Sequence, residues 1–251
     1  MLSNMDIKRE LGKNLFIYPL TPSNIKGASI NLTASSKAWS MSTKQSIVSS
    51  GMVRIPPHDT GLIETEEVVC ISNKLAGTYH SRVKTVSTGT GHIGTTMNPG
   101  WIGRSLIAVH NHTQATVTIP VGSPFVTLVL YYLKTKATIK EDNLPGRSDI
   151  LHDFTLSQED RNWLYEQDYA QDRDALKKKM KETPAYKEIE KEVHSSRNIL
   201  LALGLILVLV ALLVIYFHIP DTNTTLHELW ILFIGTYLTP CFLGIYRLIK
   251  P

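Results

Sequence analysis

His80, Arg82 and Lys84 stand close together in the middle of the sequence, and the run Ser87-Thr88-Gly89-Thr90-Gly91-His92 follows them directly. Cations beside hydroxyls and glycine amides are the means by which proteins hold phosphate and other anions. A plainer reading stands beside it, in which these are solvated loop charges on a Gly/Thr-rich turn. Residues 1–155 carry 15 Lys and Arg against 10 Asp and Glu. That modest basic excess is compatible with a nucleotide ligand; no nucleic-acid polymer is expected as a partner. Glu64, Glu66 and Glu67 are acids from which a proton-transfer site could be built. His92 and His110 lack the HxxxH or CxxC spacing of a metal centre, so no metal is expected. Cys70 and Cys241 frame no disulfide set and are expected as free thiols. Tyr79 and Trp101 could stack a base, although the Pro-Gly-Trp turn suits packing in the subunit core.

Turn residues recur at short intervals through residues 1–137, from Pro19 and Pro22 to Pro99-Gly100 and Gly122, between β-branched runs such as 116–120 and 125–132. That spacing predicts a mainly β domain of barrel or jelly-roll type, with Asp6–Leu11 as its one helical segment. Residues 138–198 form a charged helical linker, in which ten acidic and nine basic residues lie between Leu156 and Arg197. Ser157 with Asp160 predicts a capping box, and Thr183-Pro184 a helix start. The apolar stripe of Trp163, Leu164, Ala170, Leu176 and Met180 is ragged, so a solvated spacer is expected rather than a strong coiled coil.

The remaining residues, 199–251, hold only four formal charges, Asp221, Glu228, Arg247 and Lys250. Residues 199–217 and 229–248 are expected as two transmembrane helices joined by an external loop, 218–228; their uncharged runs, 199–217 and 229–246, reach roughly 27–29 Å. Lys187, Lys191 and Arg197 precede the pair, Arg247 and Lys250 follow it, and the loop has no Lys or Arg. The positive-inside rule then gives a multi-pass inner-membrane protein with both termini cytoplasmic. Met1–Lys13 is polar and does not read as a signal peptide.

The ordered motifs of the first 135 residues resemble the dCTP deaminase family, in the superfamily that also holds the trimeric dUTPases. They include Asp6-Ile7-Lys8-Arg9-Glu10-Leu11, Ile17-Tyr18-Pro19-Leu20, Gly27-Ala28-Ser29-Ile30-Asn31-Leu32, Ile55-Pro56-Pro57, Gly61-Leu62-Ile63-Glu64-Thr65, Leu75-Ala76-Gly77, Pro99-Gly100-Trp101-Ile102-Gly103, Asn111 and Pro120-Val121-Gly122. The resemblance implies a homotrimer of barrel-like subunits with nucleotide pockets at their interfaces, and zinc-free deamination by a glutamate. Ala108 stands at that glutamate's position, and of the Arg-Ser-Ser-x-Ala-Arg motif only Arg82 remains. Asn98 replaces the water-orienting aspartate of the dUTPases, and Asn31 the acid of the N-terminal signature. The glycine-rich C-terminal lid is replaced by the charged segment.

A methyl group and an amide cannot exchange a proton at neutral pH. No catalytic residue and no cofactor are therefore expected. The chain reads as a nucleotide-sensing head that controls a two-span membrane effector in bacterial antiviral defence. Its partners would be a nucleotide or cyclic oligonucleotide, the lipid bilayer, and further copies of itself in a trimer or higher assembly. His80, Arg82, Lys84, Ser87, Thr88 and His92 would contact the ligand. The alternatives are a membrane-tethered deaminase or dUTPase-type enzyme rebuilt on Glu64, Glu66 or Glu67, and an inert trimeric scaffold.

Overall fold

Ser3 and Asp6 cap one another: the Ser3 hydroxyl accepts from the Asp6 amide at 3.2 Å, and the Asp6 carboxylate accepts from the Ser3 amide at 3.1 Å. This box starts helix α1 (Asn4–Glu10), whose Ile7 is fully buried. In the computed structural model, residues 1–91, 94–139, 147–165 and 167–195 are described, together with Gly204 and Glu228.

The strands follow in chain order: β1 (Leu15–Tyr18), β2 (Ile25–Lys26), β3 (Ser29–Ser40), β4 (Val48–Ser49), β5 (Met52–Ile55), β6 (Thr60–Thr65), β7 (Val68–Ile71) and β8 (Leu75–Ser81). A one-turn helix α2 (Val83–Val86) interrupts them, and β9 (Thr90–Gly91), β10 (Thr96–Met97), β11 (Ile102–Gly103), β12 (Leu106–Asn111), β13 (Val117–Pro120) and β14 (Pro124–Tyr132) complete the set. All pair antiparallel in three sheets. The largest runs β10-β8-β14-β3-β6-β12-β9 with β2 beside β3, and the others run β1-β7-β11 and β13-β5-β4. The long β3 shifts register between Ala34 and Ala38, which lets its first half pair with β14 and its second with β6. The mainly β expectation for this part holds. Helix α2 was not expected, because Val83 and Val86 carry a strand propensity that the turn overrides.

Leu15 and Ile17 of β1, Val69 and Ile71 of β7, Ile63 of β6, Ile107 of β12 and Leu128 and Leu130 of β14 are almost wholly buried. Each contributes about 1.5–3 kcal/mol by leaving water. On β12 the burial alternates: Ile107 and Val109 face in, while Leu106, Ala108 and His110 face the other way. Strand β6 does not alternate and is buried from Gly61 to Thr65. Its second face is covered by the chain that follows the strands.

That covering consists of α3 (Ser148–Leu151), α4 (Gln158–Tyr165), a single turn at Asp168–Ala170, and α5 (Arg173–Glu182). The predicted capping box is present, with the Ser157 hydroxyl accepting from the Asp160 amide at 3.1 Å and the Asp160 carboxylate from the Ser157 amide at 2.9 Å. Residues 184–195 are helical, and Thr183 Oγ1 accepts from the Tyr186 amide at 3.2 Å. The segment is packed on the strands and is not the solvated spacer expected. Leu151, Phe154 and Leu164 form a buried cluster with Trp39 of β3 and Leu62 of β6, against which Leu106 and Trp163 pack. Leu176 and Met180 of α5 are buried, and the Ile17 amide meets the Met180 sulfur at 3.3 Å. The stripe looked ragged because it serves two docking sites, α4 on β6 and α5 on β1. Residues Met1–Glu190 accordingly form one compact unit, and Lys191–Pro251 a second.

The two expected spans, 199–217 and 229–248, lie outside the described residues apart from Gly204. Among the described residues no helix is long and apolar enough to cross a membrane.

Candidate functional site

The basic turn sits where β8 ends. Arg82 precedes α2 and donates to the Pro124 carbonyl, which ties the turn to β14. Lys84 is exposed, and His80, also exposed, shares a hydrogen bond with Thr78 Oγ1 at 2.9 Å. The hydroxyls close on the turn itself: Ser87 donates to the Lys84 carbonyl at 3.0 Å, and Thr88 and Thr90 both donate to the Thr85 carbonyl, at 2.7 and 2.8 Å. Gly89 has φ +88°, and a Cβ there would collide with the Thr113 methyl, so glycine is required. The cavity behind the turn, lined by Ser81, Thr85, Thr90, Ile107 and Phe125, measures only about 10 Å³. It has room for a single water at most. Arg82, Lys84, Ser87 and Thr88 thus form a surface turn, His80 lies beside it, and His92 is outside the described residues.

Asn98 lines a cavity of about 190 Å³ with Tyr79, Thr96, Trp101, Ser105 and Ile107. Asn98 Oδ1 accepts from Thr96 Oγ1 at 3.3 Å. The Tyr79 hydroxyl is 2.5 Å from Ser105 Oγ, and the Trp101 indole N–H is buried without a hydrogen-bond partner among the described residues. Ala108 pairs with Leu62 across the β6–β12 ladder and is exposed. Asn31 and Asn111 are structural. Asn31 accepts from Thr127 Oγ1 at 3.0 Å, while the Asn111 amide donates to the carbonyls of Ile55, Pro56 and Ala115 at 3.0, 2.9 and 2.8 Å.

The three glutamates differ. Glu67 accepts from the Thr33 amide and hydroxyl at 2.8 and 2.9 Å, and burial nonetheless pushes its carboxyl up to about 7. Glu66 is raised by burial, against the pull of Arg104. Glu64 has no exposed surface, and among the described residues neither carboxyl oxygen has a hydrogen-bond partner. Burial pushes it up to about 8, although the Arg104 charge draws it down. Burial thus favours its neutral form.

Two buried cations escaped the sequence reading. Lys37 of β3 reaches Glu159 at 2.7 Å and Asp160 at 3.0 Å. Arg104, only 4% exposed, donates to Gln167 Oε1 at 2.6 Å and the Tyr169 hydroxyl at 3.3 Å, and stacks 4.0 Å from the Trp163 ring centre. The available signal was charge placed among strand residues, Lys37 between Ser36 and Ala38 and Arg104 just after Gly103. The partners lie 122 and 63 residues away, which no local pattern reveals. Cys70 is buried and unpaired, and burial pushes its thiol up to about 11.

Residues 1–133 match the family described as dCTP deaminase-like. The dCTP deaminase of Thermococcus kodakarensis is 23% identical over 128 residues, 51% of this chain and 83% of its own. That of Pyrococcus horikoshii is 24% identical over 125 residues, 50% of this chain and 80% of its own. Among solved structures, the 2'-deoxycytidine 5'-triphosphate deaminase of Agrobacterium tumefaciens aligns with TM-score 0.43 and 12% identity over 51% of this chain; the chain spans only 46% of that structure. The dUTPase of S. aureus phage phi11 aligns with TM-score 0.37 and 14% identity over 52% of this chain and 97% of its own. With more than half of its length matched by the family, the chain belongs to the dCTP deaminase-like family.

Proposed function

We propose that the head binds a nucleotide without converting it and passes its bound state through the docked helices to a two-span module in the inner membrane, as an effector of bacterial antiviral defence. The observation that carries this reading is Ala108, a methyl group where the family resemblance places the proton-transferring glutamate, with Asn98 adding an amide where the dUTPases use an acid. Membership of the family supports the nucleotide, and the uncharged runs 199–217 and 229–246 support the membrane. The docking of α4 and α5 supplies the mechanical link. Ligand switches such a system only by binding two states of the assembly with different affinity. Self-association as a trimer or larger ring belongs to the same reading.

The test is a panel of deoxynucleotides and cyclic oligonucleotides against the purified full chain. A ligand of the head raises its melting temperature by mass action, while dCTP and dUTP stay unconverted. In cells, expression collapses the membrane potential in a ligand-dependent way, and Arg82→Ala uncouples the two. Equal growth and potential with the full chain and with a chain ending at Arg197 would defeat the reading.

The alternative is a membrane-tethered enzyme built on Glu64, whose carboxyl burial pushes up to about 8, towards the range of a general acid or base. Turnover of dCTP or dUTP that disappears in Glu64→Gln would establish it.

A further inference from the structure

Glu64 pairs with Leu106 across the β6–β12 ladder, and Thr65 with Ser105 continues it, the Thr65 amide donating to the Ser105 carbonyl at 3.0 Å. Glu64 and Leu106 share a face of this ladder, and Arg104, two residues before Leu106, turns its guanidinium to the helical segment, near enough for its charge to act on Glu64. This is the face that α4 covers. Both residues are buried and both are left incomplete: among the described residues neither Glu64 oxygen has a hydrogen-bond partner, nor has Arg104 Nε. The rest of the guanidinium is turned to the helical segment, on Gln167, Tyr169 and the Trp163 ring and carbonyl. A buried acid and a buried base with open hydrogen-bonding capacity, close enough to feel each other, form a second arrangement as soon as the acid ionises.

We propose that Arg104 is a two-position latch, which holds the helical segment on the head while Glu64 is neutral and releases it by closing on the Glu64 carboxylate. In the first position Arg104 is the clasp of α4 and of the turn at Asp168–Ala170. In the second, a forked guanidinium–carboxylate pair satisfies both open groups, and the helical segment loses its stacked cation. Anything that ionises Glu64 or displaces Gln167 moves the balance. The latch needs no particular nucleotide, so it stands or falls separately from the proposed function.

The other charged groups around Glu64 leave a window in which it can be watched. The Tyr79 hydroxyl is pushed above its usual range by burial and by Glu64, and Tyr169 faces Arg104 from the helical side. Burial works against the charge of Lys37, yet Glu159 and Asp160 hold it above its ordinary value; Asp160, despite burial, is held below by Ser157 and Lys37. Glu66 shares the field of Arg104, and Glu67 titrates close by, so both need control variants.

The experiment is amide hydrogen exchange of α4 and Asp168–Ala170 in the full chain from pH 7 to 9.5, corrected for intrinsic rates. Protection falls at least about tenfold across the range, since each unit separating the Glu64 pKa of the two positions is tenfold in their ratio. In Glu64→Gln protection is retained and flat, while Glu66→Gln and Glu67→Gln keep the wild-type profile. Gln167→Ala weakens the first position and moves the midpoint to lower pH. The latch is overturned by a flat wild-type profile, by a pH-dependent loss in Glu64→Gln equal to wild type, or by an unmoved midpoint in Gln167→Ala.

Discussion

The turn from His80 to Gly91 and the seam between β6, β12 and α4 both set cations beside hydroxyl groups, in opposite surroundings, and only the seam adds carboxyl groups. In the turn, Lys84 is in water and the hydroxyls close on their own carbonyls. In the seam, Lys37 and Arg104 are buried, each held by residues of the helical segment. A charge in water contributes little to stability and can be given to a ligand at little cost. A buried charge must be matched, and its loss or rearrangement is felt throughout the structure. Under the proposed function, recognition would fall to the turn and transmission to the seam.

Removing one partner of the buried pair should give the largest effect. Lys37→Met leaves Asp160 facing a side chain that cannot neutralise it, and urea unfolding should show a loss of about 3 kcal/mol. Adding Asp160→Asn, which removes the stranded charge, should recover a good part of it. If the single variant is as stable as the parent, the seam is no tighter than the surface.

Glu64→Leu sharpens the comparison in the opposite direction, because it removes a buried group that nothing satisfies. The gain should be about 1–3 kcal/mol at pH 8, read from the denaturation midpoint. The folded Glu64 keeps its proton up to about pH 8, whereas the unfolded one releases it near 4.5. The unfolded state thus binds fewer protons between those values, and stability falls as pH rises through them. Glu67 contributes with the same sign only up to about 7. Between pH 7 and 8 the slope should therefore flatten in Glu64→Leu.

The strands and the caps were legible in the sequence because their causes are local. Ser157 and Asp160 are three residues apart, and the capping box stands as read. Helix α1 begins two residues before the expected Asp6 because its cap is Ser3. What could not be read is what distance creates. Trp39 meets Leu164, Lys37 meets Asp160, and Arg104 meets Gln167 only once the helices fold back on β6. Of the candidate site, the order Arg82, Lys84, Ser87, Thr88 was legible as one turn. The inward closure of its hydroxyls was not, since Ser and Thr serve their own backbone as readily as a ligand.

Within the turn, backbone should matter more than charge. Gly89→Ala forces an alanine to φ +88° and into Thr113, and should destabilise by about 1–2 kcal/mol in thermal unfolding.

Lys84→Ala should have the smallest effect on stability and separates the two regions most cleanly. Its side chain is exposed, and only its carbonyl is used, by the Ser87 hydroxyl. Alanine keeps that carbonyl and suits a helical turn, so the unfolding midpoint should move by no more than about 0.5 kcal/mol. Affinity is a different matter. A cation that serves no fold contact is available to a phosphate, and its removal should weaken nucleotide binding severalfold, with a shallower dependence on salt. A titration of the best ligand from the thermal-shift panel into both proteins at two ionic strengths measures this. A variant with unchanged stability and weakened, less salt-sensitive binding places recognition in the turn. One that binds like the parent leaves the turn a solvated loop, and the ligand must then be held elsewhere on the head.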